Sequence, residues 1–170
     1  APHYLLLCDE DLQEEGRFKM NPPLRGREDR EALRRAVAEG TIEVIATDHA
    51  PHTAEQKSRG LAGSAMGIGG AFPLLYTYLV KPGIVSLAVL VERMSLAPRR
   101  IFGLGGGIGV GEPADLTVLD LDAEYVIDPA TFLSKGRSTP FAGWKVSGRT
   151  LWTLVDGRTA YADESICPLL

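Results

Sequence analysis

The chain has 170 residues, 45% of them hydrophobic, a formal net charge of −4 and two cysteines. With no basic run to release phosphate counterions, a nucleic-acid or acidic-membrane surface is excluded as its main interaction. No apolar run reaches the roughly 20 residues that span a bilayer. Cys8 and Cys167 lie at opposite ends, without metal spacing or a disulfide pattern, which reads as a reducing, cytoplasmic setting.

In chain order, His3 opens a strand-like apolar run, Leu5 to Leu7, and reads as a structural residue ahead of it. An extended segment, Phe18 to Arg25, comes next. The spacing of Ala32, Leu33, Ala36 and Val37 then predicts a helix over about Glu28 to Glu39, with Gly40 as its stop. Ile42 to Ala46 reads as an apolar strand that runs directly into Asp48, His49, Pro51 and His52. Extended segment, helix and strand make a βαβ unit. A buried strand that carries a carboxylate to its C-terminal tip is how barrels and open α/β enzymes present reactive groups. The plain alternative is a loop aspartate capping the next helix, with the two histidines as ordinary polar residues.

Farther on, Ile84 to Val91 reads as a buried helix face ending at Glu92-Arg93. The run Gly103 to Gly111 has glycines at dinucleotide-like spacing. A phosphate cradle needs a strand before and a helix after, and here the order is reversed, so the run reads as a flexible turn. Asp115 to Asp120 and Thr150 to Val155 are expected strands, and Asp156-Gly157 is a strong hairpin signal. Trp144, Trp152 and Tyr161 read as core or interface aromatics. Two zones result: residues 1–104 alternate helix and strand, and residues 105–170 are strand and turn.

Two motifs, Lys19-Met20-Asn21-Pro22-Pro23-Leu24-Arg25 and Ala46-Thr47-Asp48-His49-Ala50-Pro51-His52, together resemble the bacterial zinc-dependent dihydroorotases of the amidohydrolase superfamily. Pro2-His3-Tyr4-Leu5-Leu6-Leu7 is similar to that family's P-H-H-L-L-L segment, with Tyr4 where a second histidine is usual. Ser95 to Leu104, Gly111 to Leu116, Ser138 to Gly143 and Val155 to Gly157 extend the likeness over nearly the whole chain. The fold it implies is α/β: the C-terminal part of a TIM-type (β/α)8 barrel over residues 1–104, plus a small β-sandwich domain over 105–170. A complete barrel takes about 250 residues. The chain has three histidines and no H-x-H, so it matches that family at one metal ligand and reads as the C-terminal portion of a longer enzyme.

The chemistry follows from the resemblance. Two Zn2+ ions per complete site activate water against a cyclic amide carbonyl. Asp48 matches the ligand that also serves as general base, and a carboxylate suits both tasks. His52 and Asn21 match substrate-contacting positions, and Met66 and Gly67 fall where the family offers backbone groups to the ring. His49 is expected to pack or to support the site. Lys57 and Arg59 are expected to be solvent-facing loop charges. One departure stands out: Gly67-Ile68-Gly69-Gly70-Ala71-Phe72-Pro73 is shorter than the family's segment and lacks its Glu-Thr.

The implied reaction is the reversible cyclisation of N-carbamoyl-aspartate to dihydroorotate in pyrimidine biosynthesis. Two alternatives stay open: a hydantoinase or dihydropyrimidinase-like cyclic amidase, and a non-catalytic dihydroorotase-like partner of aspartate transcarbamoylase. The resemblance also leaves open a homodimer. With a single ligand, the 170-residue chain alone is expected to be inactive.

Overall fold

A computed structural model describes residues 1–58, 70–105 and 107–166. The described helices are α1 (Pro2–Leu6), α2 (Arg27–Glu39), α3 (Ala54–Ser58), α4 (Ala71–Leu75), α5 (Leu87–Val91) and α6 (Ala97–Phe102). Tyr76–Val80 prolongs α4, and Glu92–Leu96 joins α5 to α6, each as a π-helical turn. Three strands follow: β1 (Leu116–Val126), β2 (Lys145–Val155) and β3 (Arg158–Ala162).

Helix α2 forms where the apolar spacing placed it. Glu28 and Asp29 lie in its first turn, where carboxylates complement the helix dipole. It ends as Gly40 adopts φ +91°, a left-handed stop that glycine reaches without a side-chain clash. Val37 is its buried residue, with Leu33 packed beside it.

Two expected strands are corrected. The run containing Leu5 to Leu7 is not a strand: Pro2 to Leu6 form α1. Leu5, Leu6 and Leu7 are all buried, so the two-residue alternation of a half-exposed strand is missing, and Pro2 supplies the fixed φ favoured in a first helical turn. Ile42 to Ala46 is extended but belongs to no ladder, because a strand needs a paired backbone and the described residues contain only the β1-β2-β3 sheet. Ile45 instead donates its N–H to the carbonyl of Arg93 at 3.0 Å.

The β zone forms as read, with longer strands. β2 lies between β1 and β3, antiparallel to both. Asp156 and Gly157 join β2 to β3 with φ of +50° and +72°, the two positive values that a tight primed hairpin turn requires. The expected β-sandwich is, among the described residues, this single three-stranded sheet.

One apolar core joins these parts. Leu74, Leu75, Leu79 and Leu90 from the helices pack in the same cluster as Ile45 and as Ile127, Phe141 and Val146 of the tail. Trp144 stands edge-on to Phe141 and Tyr78, at 5.0 and 4.9 Å between ring centres. Polar bonds fix α4 and its π turn to β2. The Ser147 N–H donates to Thr77 Oγ1 at 2.8 Å, and the Tyr78 hydroxyl donates to the Lys145 carbonyl at 2.9 Å. Burial of α4 is complete at Leu74 and Leu75, both 0% exposed.

Candidate active site

The segment between α2 and α3 carries most of the candidate residues. Arg93 holds its first half: the Arg93 carbonyl accepts from Ile45, and its Nε donates to the Val37 carbonyl at 3.3 Å. From this anchor the chain emerges at Thr47 and Asp48, both exposed. Asp48 has φ +50°. Outside a hairpin turn this backbone costs on the order of 1–3 kcal/mol and persists where the surroundings impose it, a pattern that clusters at functional sites. His49 makes a lone β-bridge, and His52 is half-buried.

The second half of the segment is stapled by α3. Thr53 and Gln56 form a reciprocal cap: Gln56 N–H donates to Thr53 Oγ1 at 3.2 Å, and Thr53 N–H donates to Gln56 Oε1 at 3.0 Å. Pro51 lies so close to Gly136 that a Cβ there would overlap the proline ring. The tail thus touches the loop between His49 and His52.

His3 is an ionisable neighbour of Asp48. It is 1% exposed, and its Nε2 stands 3.6 Å from Asp48 Oδ2, within ion-pair range but too long for a hydrogen bond. Burial, opposed by Asp48, lowers its pKa to about 4, so the imidazole is neutral at pH 7. Both nitrogens of His3, and Nδ1 of His49, are buried without a hydrogen-bond partner. Such atoms are rare enough in folded proteins to mark a site of interest.

The expected residues are therefore distributed as follows. Asp48 and His3 meet. No hydrogen bond or ion pair joins Asn21, Asp48 and His52 among the described residues, although all three lie on segments packed against α1, α2 or α3. Asn21 is exposed. Met66, Gly67 and Arg59, like Gly67 to Gly69 of the shortened segment, lie outside the described residues.

The reading of Lys57 as a solvent-facing charge is corrected. Lys57 is 3% exposed, and its ammonium donates to the Lys19 carbonyl at 2.9 Å. Burial lowers its pKa, with Lys19 adding to the effect. A lysine can bury its stem and still satisfy its head on a carbonyl, and loop charge patterns do not distinguish that from exposure. Tyr4 is a second residue that sequence reasoning left unused: its hydroxyl donates to the Pro22 carbonyl at 2.7 Å. The only signal was its departure from the P-H-H pattern.

A metal site can be tested against these donors. An exposed carboxylate on an imposed backbone, with orphaned buried imidazole nitrogens behind it, fits one carboxylate corner of a metal centre and its supporting shell. Among the described residues no group of three His, Cys, Asp or Glu side chains comes together.

The model of the amidohydrolase family matches residues 12–160. The chain belongs to that family, a class of hydrolases whose members are generally metal-dependent and whose fold is of the α/β TIM-barrel type.

Among its relatives, the dihydroorotase of Bacillus cytotoxicus is 53% identical over 97% of this chain. That of Bacillus cereus is 52% identical over the same share. The chain spans 40% of the length of each. Of solved structures, the L-hydantoinase of Arthrobacter aurescens superposes with a TM-score of 0.84 at 32% identity. The D-hydantoinase of a Thermus species does so with 0.86 at 31%. In both cases the match covers 95% of this chain and 38% of the other. No helix among the described residues is long and apolar enough to cross a membrane.

Proposed function

We propose that this chain is the site-bearing C-terminal part of a zinc-dependent dihydroorotase, which interconverts N-carbamoyl-aspartate and dihydroorotate. The observation that carries the reading is Asp48: an exposed carboxylate on an imposed positive-φ backbone, beside a buried histidine, in a chain 53% identical to a dihydroorotase. Residues 1–104 serve as the end of the barrel, and residues 105–170 as part of a β-sandwich domain.

Zinc, two ions in the complete site, supplies Lewis-acid polarisation of the ring carbonyl and a more acidic water. Asp48 would hold one metal through its carboxylate; it takes the proton of the attacking water and delivers it to the departing ring nitrogen as the C–N bond breaks. In the direction of ring closure the same proton travels back. His52 donates a hydrogen bond to the substrate carboxylate, the Asn21 amide pairs with the ring, and backbone groups of Met66 and Gly67 line it. The enzyme works in the cytoplasm, as a homodimer or in company with aspartate transcarbamoylase.

The likeness to solved hydantoinases supports a second reading, a cyclic amidase for substrates lacking the carboxylate. His52 and Asn21 favour dihydroorotate. The deciding experiment expresses the complete coding frame and compares ring opening of dihydroorotate with that of hydantoin. Faster opening of hydantoin replaces the first reading with the second. Inertness toward both, with a folded protein, replaces it with a non-catalytic partner.

A further inference from the structure

Asn21 sits in a segment poorly able to hold itself. Pro22 and Pro23 follow it and have no N–H to donate, and all three residues are exposed. Apolar anchors stand only at its two sides, Met20 and Leu24, each 6% exposed. Yet the carbonyls on either side of Asn21 are both taken by side chains from elsewhere. Lys57 Nζ donates to Lys19 O at 2.9 Å, and Tyr4 Oη donates to Pro22 O at 2.7 Å.

These two donors come from the elements that carry the other candidate groups. Tyr4 is in α1, next to His3, whose ring lies 4.1 Å from its own between centres and which faces Asp48. Lys57 is in α3, which the Thr53–Gln56 cap begins immediately after His52. α3 is seated firmly: the Lys57 carbonyl lies against Gly16 at a distance that leaves no room for a Cβ. Burying an ammonium costs free energy unless a partner meets it, and the Lys19 carbonyl is such a partner.

We propose that Tyr4 and Lys57 are positioning residues that clamp the Asn21 turn from both sides, setting its amide in register with Asp48 and His52 for the ring substrate. The proposal rests on the dihydroorotase reading and deepens it. It also gives Tyr4 a role that its departure from P-H-H leaves unexplained, since a phenol reaches a carbonyl beyond the span of an imidazole. The clamp acts on binding geometry, so it should be felt in KM and only through Asn21.

The test is a double-mutant cycle in the protein expressed from its complete coding frame, with dihydroorotate as substrate. Tyr4→Phe removes one hydroxyl and keeps the ring. It is expected to raise KM about three- to tenfold, the range of a single lost hydrogen bond, with kcat within about twofold. Asn21→Ala is expected to raise KM on its own, and Tyr4→Phe to add nothing in the Asn21→Ala background. Lys57→Met should behave as Tyr4→Phe does, with circular dichroism as a check on folding. A Tyr4→Phe effect that is absent, or equally large with and without Asn21, overturns the clamp. Asn21→Ala with unchanged KM overturns it too, and removes Asn21 from the substrate site. A wild-type protein inert toward dihydroorotate overturns the functional reading itself, a result the unmodified protein reports before any variant is compared.

Discussion

The tail from Leu116 to Ala162 and the segment from Thr41 to His52 solve opposite problems. The tail pairs its own backbone: β1, β2 and β3 complete one another, and Asp156-Gly157 closes the hairpin from within. The site segment borrows everything. Its one described ladder contact is the bridge at His49, its apolar anchor is Ile45 on the carbonyl of Arg93, and its outer loop rests on Gly136. A self-paired region tolerates change in its surroundings, whereas a borrowed one transmits that change to its exposed carboxylate.

The strongest way to break this contrast is at Asp48. In the protein from the complete coding frame, Asp48→Asn keeps the size of the side chain and the tolerance for positive φ while losing the base. Turnover is expected to fall by about 10³-fold or more, at the scale of a lost general base. Steady-state kinetics showing near-normal kcat would remove Asp48 from the chemistry. Chelation should do as much to the unmodified enzyme, with activity returning on addition of zinc. The 170-residue polypeptide alone is expected to retain no stoichiometric zinc by elemental analysis after dialysis, and to open no ring.

Next in size comes the shared core. Leu74→Ala should cost about 3 kcal/mol, because Leu74 has no exposed surface and packs in the cluster that reaches both regions. Denaturant titrations followed by tryptophan fluorescence and by far-ultraviolet circular dichroism should move together. A separation of the two curves would show that the tail unfolds by itself. His52→Ala is a smaller, local change, expected to raise KM about tenfold with little loss of kcat, as suits a charge-assisted bond to a substrate carboxylate. Smallest is Thr77→Val, which leaves the Ser147 N–H without its acceptor. About 1 kcal/mol of stability should go, with kinetics unchanged.

How far the sequence revealed these features depended on whether a feature is local. Helix α2, the Gly40 stop and the hairpin at Asp156-Gly157 are written in neighbouring residues, and their positions were legible. The strand expected over Ile42 to Ala46 has the right residues, but pairing is a property of two segments, and its neighbours among the described residues are helices and turns. Leu5 to Leu7 misled for a related reason. A short, wholly buried apolar run carries no period, so helix and strand look alike in it. At the candidate site the resemblance marked Asp48, His52 and Asn21 by motif. It did not mark Lys57, whose burial comes with the close seat of α3 on Gly16, or the approach of His3 to Asp48, which joins residues far apart in the sequence.

The reach of the core into the tail has a consequence for how the chain matures. A ribosome delivers residues in order, at about 5–20 per second, and Asp48 leaves the exit well before Phe141 and Val146. Until those side chains arrive, Leu74, Leu75 and Leu79 lack part of their partners in the cluster, and the loop at Pro51 lacks the support of Gly136. The segment that bears Asp48 is thus synthesised before the tail residues that secure it. A nascent chain stalled before residue 136 would display its aspartate without the scaffold that holds it.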